Sequence, residues 1–190
     1  MEKTYIEDTN FEGTDFSVTP LSDDNYENCR FINCNFSNIN LANLHFSACE
    51  FNVCNLSLAS LNKTALRDIK FIECKLLGLH FEQCNEFGFS IDFEHCILNL
   101  SSFYKRKLKK TSFKNCSLQE VDFTEADLTG SVFDNCDLSR AVFENSLLEK
   151  ADFRTSYHYS INPEINRIKK AKFSITGIAG LLDKYDIEIE

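Results

Sequence analysis

Proline and glycine are nearly missing from this chain, with two of the first and six of the second in 190 residues. That scarcity excludes a collagen-like or disordered chain and argues against a loop-rich fold. Long apolar runs are lacking too: none approaches the roughly 20 residues of a membrane-spanning helix. The start, MEKTYIEDTNFEG, is acidic and has no signal-peptide core, so the expected setting is the cytoplasm, with no membrane partner. Positive charge is in deficit, 20 Lys and Arg against 29 Asp and Glu, a formal net charge of −9. That balance argues against a general nucleic-acid-binding surface. Nine cysteines, an odd number, do not suit a full disulfide framework in a reducing compartment.

What the chain has in excess is phenylalanine, 18 residues of it, set out with a period of five. In TSFKNCSLQEVDFTEADLTGSVFDNC the large apolar residues are Phe113, Leu118, Phe123, Leu128 and Phe133. On a helix, steps of five would spiral around the axis, because each residue turns about 100°. On an uninterrupted strand, an odd step would alternate between faces. A turn must therefore occur once per five residues, which makes a solenoid. One register runs from Ile6 to Phe81 and a second from Phe93 to Phe153. With the large residue called i, position i−2 is small or apolar, as at Thr14, Cys34, Ala59, Val121 and Ala126. Two inward and three outward positions per repeat fit a single layer of chain around a filled interior.

Cysteine spacing sets the number of fives per coil. Cys34, Cys54 and Cys74 are 20 residues apart, as are Cys96, Cys116 and Cys136. Four fives per turn predict a four-sided coil with the thiols stacked inside, rising roughly 4.8 Å per coil. Residues 84–90, CNEFGFS, hold seven residues in place of five. Read as a local bulge near Gly88, with Phe87 or Phe89 at the missing centre, they leave the Phe and Cys columns unbroken. The alternative at this point is a hinge between two domains.

Ala126-Asp127-Leu128, Cys136-Asp137-Leu138 and Ala151-Asp152-Phe153 match the pattern of the pentapeptide-repeat family. The chain resembles that family over about residues 4–158. The resemblance implies an all-β solenoid, a right-handed quadrilateral β-helix, here assigned to residues 1–160. Residues 161–190 leave the pattern and are expected to form a small helical cap and dimerisation tail. Asn162 and Pro163 can open one helix, and a second can start after Thr176. The closing IEIE reads as a short strand. Phe173, Ile178, Leu181, Leu182, Tyr185 and Ile187 are the candidate dimer seam.

This tail resembles that of the quinolone-resistance (Qnr/MfpA) group, and its INPEINRI is still nearer the microcin B17 immunity protein. That resemblance implies C-terminal homodimerisation, an acidic rod mimicking duplex DNA, and binding to DNA gyrase or topoisomerase IV with protection against quinolones or a gyrase-targeting toxin. The long inserted loops that some members carry are missing here. The alternative function is a rigid β-helical interaction scaffold with an unrelated partner.

Charge is unevenly placed. Between Ser112 and Phe153 nine acids face three bases, a net of −6. Glu120, Asp122, Glu125, Asp127, Asp134, Asp137, Glu144 and Asp152 are the candidate partner-binding acids. YKRKLKKTSF runs the other way, with Lys105, Arg106, Lys107, Lys109 and Lys110. Arg106 falls on an i−2 position, where a buried unpaired charge is costly, so it is expected to escape outward. Arg167, Lys169, Lys170 and Lys172 form a second basic patch.

No catalytic constellation, phosphate-cradling loop, cofactor motif or metal-ligand set stands out. The thiols at i−2 are expected to be buried and inert. The reading is a binding protein, not an enzyme.

Overall fold

The computed structural model describes residues 5–22 and 25–188. The chain winds as a right-handed, four-sided parallel β-helix. Two walls hold continuous ladders. One pairs Tyr5–Glu7, Asn25–Glu27, His45–Ser47 and Ala65–Arg67 in parallel. The other pairs seven strands from Asn10–Glu12 to Val132–Asp134. Single bridges at 20-residue steps join the rest, such as Asn35 to Asn55 and Asp122 to Val142.

Four columns of large side chains define the walls. Wall one carries Phe11, Phe31, Phe51, Phe71, Phe93, Phe113, Phe133, Phe153 and Phe173, each ring stacked on the next. Wall two begins with Phe16 and Phe36 and continues through Leu56, Leu76, Leu98, Leu118 and Leu138. Wall three holds Leu41 and Leu61 and then Phe81, Phe103, Phe123 and Phe143. Wall four holds Tyr26, Phe46, Leu66, Leu108, Leu128 and Leu148. Rings on neighbouring walls meet edge-on, as Phe113 meets Phe123 at 5.9 Å and 83°. Each buried Phe or Leu contributes roughly 1.5–3 kcal/mol of transfer free energy, and ring pairs add to it.

The corners explain why five residues suffice. The residue at i+2 repeatedly takes a positive φ, as at Asn38, Val53, Leu58, Lys105 and Glu120. The amide three residues after i then donates back to the carbonyl of i, as Ser101 N does to Leu98 O at 3.0 Å. A left-handed residue that is not Gly is disfavoured, and stacking of the interior offsets that cost at each corner.

Position i−2 has a polar duty as well as a steric one. Its donor bonds a carbonyl of the coil below. Cys54 Sγ donates to Phe31 O at 3.2 Å, Thr64 Oγ1 to Leu41 O at 2.8 Å and Ser146 Oγ to Phe123 O at 2.8 Å. All nine cysteines are buried and free.

The seven-residue repeat is a bulge and not a hinge. Ile69–Ile72 pairs with Ile91–Glu94 in register, and Cys96 Sγ donates to Phe71 O as its counterparts do elsewhere. Phe89 takes the inward place, half-buried against the core, whereas Phe87 stands 76% exposed. Arg106 departs from expectation. It does not escape outward but is only 4% exposed. Its Nη1 donates to Cys84 O and its Nη2 to Asn85 O, both at 3.2 Å, and its guanidinium lies 4.1 Å from the Phe89 ring centre. The bulge lifts wall four out of the ladder at this rung, and the arginine satisfies carbonyls left behind.

The coil also runs beyond residue 160. Arg167 bridges to Leu147, Lys172 bridges to Asp152, and Phe173 stacks on Phe153 at 5.4 Å. No α-helix forms in the described part of the tail. Asn162 caps only a turn, accepting from Glu164 N at 2.9 Å, and the chain past Thr176 forms two 3₁₀ turns, Ile178–Leu181 and Asp183–Tyr185. Ile187 and Glu188 are not in a strand, and Ile189 and Glu190 lie outside the described residues. Coil geometry persists because Asn166 fills an i−2 place, donating through Nδ2 to Phe143 O and accepting from Ser146 N.

Candidate functional site

The candidate acids sit on the three outward positions of each repeat, so the fold spreads them over all four walls. Asp122 and Glu144 lie on wall three, with Glu120 and Glu125 at its two corners. Asp134 and Asp152 belong to wall one, Asp137 to wall two and Asp127 to wall four. Wall three and its corners therefore gather four of the eight, and the other four point elsewhere.

Their surroundings differ by position. Asp122, Asp127, Asp137 and Asp152 each precede a core residue, and each accepts the backbone N–H two residues on: Thr124, Thr129, Ser139 and Arg154, at 2.8–3.2 Å. These Asx turns brace the next corner. The side chains of Asp127, Asp137 and Asp152 are only 15–17% exposed. Burial pushes the Asp137 carboxyl up, but bonds from Ser139, Gln119 and His158 outweigh it and hold the group down at about 2. At Asp152, the Arg154 side chain, 2.7 Å away, holds the carboxyl low against the opposing effect of burial. These aspartates are structural first.

Glu120, Glu125 and Glu144 are the exposed members. Glu120 pairs with Arg140, and Glu125 approaches Lys105 at 3.5 Å. Asp122, Asp134 and Glu144 form no ion pair among the described residues. Lys109 meets Asp127 at 3.2 Å, so part of the basic run neutralises acids of the next coil.

The candidate seam divides. Phe173 and Leu181 pack against the core and close the coil. Leu182 is half-buried, whereas Ile178, Tyr185 and Ile187 are about half exposed and face outward. Ile175, at 92%, is more exposed than any of them and was not singled out from sequence. Its place in a polar stretch, FSITG, hides it from a periodicity argument. Gly177 and Gly180 let the tail press onto Tyr159: a Cβ on Gly180 would stand 2.0 Å from the Tyr159 carbonyl oxygen.

The described residues hold no group of three or more His, Cys, Asp or Glu able to take a metal, and no helix among them is long and apolar enough to cross a membrane.

A family model for the pentapeptide repeat region matches residues 89–157. No curated protein matches the sequence. Among solved structures, the chain is similar to a trypsin-treated form of QnrB1, a plasmid-mediated fluoroquinolone resistance protein, at 17% identity over 96% of this chain and 99% of that one, with a TM-score of 0.58. It is also similar to HetL, a pentapeptide repeat protein involved in heterocyst differentiation regulation from the cyanobacterium Nostoc, at 13% identity over 91% of this chain and 87% of that one, with a TM-score of 0.52. At these identities the likeness is one of fold. The matched region covers the second register, and the same five-residue step, corner and inner columns continue through the first, so the fold of a pentapeptide repeat region runs through both.

Proposed function

We propose that this protein occupies the DNA-binding surface of a type II topoisomerase, DNA gyrase or topoisomerase IV, and so protects it from quinolones or a gyrase-targeting toxin. The observation that carries the proposal is the acidic rod. Between Ser112 and Phe153 nine acids face three bases, on rungs whose wall-one rings lie 4.6–5.2 Å apart. Wall three is the working face, with Glu120, Asp122, Glu125 and Glu144 as its carboxylates. The similar fold of QnrB1, a plasmid-mediated fluoroquinolone resistance protein, supports the reading.

The rod works as a homodimer in the cytoplasm, joined by Ile175, Ile178, Tyr185 and Ile187. Two copies carry a formal charge of −18, twice the −9 of one chain. Screening beyond roughly 8 Å confines its effect to close contact.

The test is a supercoiling assay with pure gyrase and with topoisomerase IV, with and without a quinolone. Protection or inhibition is expected, and it should weaken on charge reversal at the exposed Glu120, Glu125 and Glu144. No effect on either enzyme at any concentration would leave the scaffold reading, a rigid coil with an unrelated partner. Light scattering tests the dimer: a particle of twice 21.9 kDa is expected, reverting to one chain in Ile175→Asp.

A further inference from the structure

Where the bulge interrupts wall four, the surface opens into a notch of about 450 Å³ lined by Glu86, Phe87, Gly88, Phe89, Lys105, Arg106 and Lys107. Three features set it apart from the rest of the rod. Its inner wall holds the guanidinium of Arg106, which is buried, bonds only backbone carbonyls and leaves Nε without a partner. Neither Arg106 nor Lys107 forms an ion pair among the described residues, whereas Lys105 reaches Glu125. Its outer lip is the ring of Phe87, steadied from below by Arg67, whose Nε donates to Phe87 O at 3.3 Å.

A buried cation without a counter-ion is costly, and an anion brought into the adjoining notch offsets that cost. The exposed ring beside it offers an apolar contact within the same volume. Glu86 lines the mouth, and it and Glu82 act on Arg106 without forming an ion pair with it. We propose that this notch is a docking site for a short acidic peptide segment of a partner protein, with a carboxylate toward Arg106 and Lys107 and an apolar side chain against Phe87. A nucleic acid suits it poorly. An extended polyanion would have to cross Glu86 and Glu125 on leaving the notch, while a short segment meets only its lining. The site borders the acidic wall where Lys105 meets Glu125, but it does not depend on the topoisomerase reading.

The experiment is fluorescence polarisation with three labelled octapeptides and one oligonucleotide. The peptides alternate Glu with Phe, Gln with Phe, and Glu with Ser, and the oligonucleotide is an eight-residue oligothymidylate. Saturable binding of the Glu/Phe peptide is expected, with the other two peptides weaker. Phe87→Ser and Lys107→Gln, both outside the core, should each weaken it about tenfold, roughly 1.4 kcal/mol. Lys169→Glu, in the other basic patch, should leave it unchanged. No saturable binding, equal binding by the Phe87 and Lys107 variants, an equal loss in Lys169→Glu, or tighter binding of the oligonucleotide would each overturn the proposal.

Discussion

The ring of Phe71 lies 5.5 Å from that of Phe93, inclined by 12°, across a step of 22 residues where every other step in the column is 20. The two extra residues are absorbed entirely within wall four. Arg106 is the device that makes the accommodation stable, because it donates to the carbonyls of Cys84 and Asn85.

Arginine and bulge should therefore be coupled. Arg106→Ala strands those carbonyls and should cost roughly 2–4 kcal/mol. Deleting Phe87 and Gly88 alone should also destabilise, since it drives the arginine into a closed coil. Combining the deletion with Arg106→Ala restores an ordinary repeat, with the alanine that Ala126 shows is accepted at this place, and should recover most of the loss. Urea denaturation of the four proteins measures the coupling.

The thiols should be silent in the native state. Burial pushes Cys49 up to about 11 and Cys84 up to about 12, and both sit inside the coil. Iodoacetamide at pH 8 should label none of the nine while the coil is folded and all nine in denaturant. Mass spectrometry reads the difference directly.

Asp137 should make stability sensitive to acid. Its folded carboxyl is held at about 2, below the ordinary value of 3.8 for an aspartate. The stabilisation is present above the unfolded value and is lost as pH falls from about 4 through 2. Because an Asn keeps one acceptor oxygen for the Ser139 bonds, Asp137→Asn should cost only about 1 kcal/mol at pH 7. The two proteins should converge near pH 2, and a denaturation series across that window checks it.

Gly180 should control the cap. A methyl there would meet the Tyr159 carbonyl oxygen at 2.0 Å, and backbone cannot yield as a flexible side chain can. Gly180→Ala should free the residues past Thr176 from the coil end, seen as faster amide exchange at Ile161, whose N–H donates to Gly180 O at 2.8 Å. The inner coils should keep their protection.

The interior was legible because period and chemistry agree there. Phe113 over Phe133, and Cys116 between Cys96 and Cys136, follow from spacing alone. Arg106 was legible as an anomaly, but its solution was not, since the acceptors are backbone carbonyls freed by a bulge one coil below. The candidate acids were legible as a count, but not in their division between exposed positions and Asx turns. An aspartate at i−1 has the same one-letter signature whether it faces a partner or braces the next corner, and only the Asx bond to Thr124, Thr129, Ser139 or Arg154 tells them apart. The tail was legible in part, since its helical cap is reduced to two 3₁₀ turns. Asn162 and Pro163 are a sound helix start, but Asn166 offers the coil its usual inner bond, and the coil continues.

The positive-φ corners carry a consequence for variation. Their side chains point away from the stack, and residues as unlike as Val53, Leu58, Lys105 and Glu120 occupy them. Each corner is thus a site where composition drifts at little structural expense, while a turn keeps to 20 residues except where the bulge adds two. Selection can repaint such a molecule's exterior for a new clientele and leave its architecture untouched.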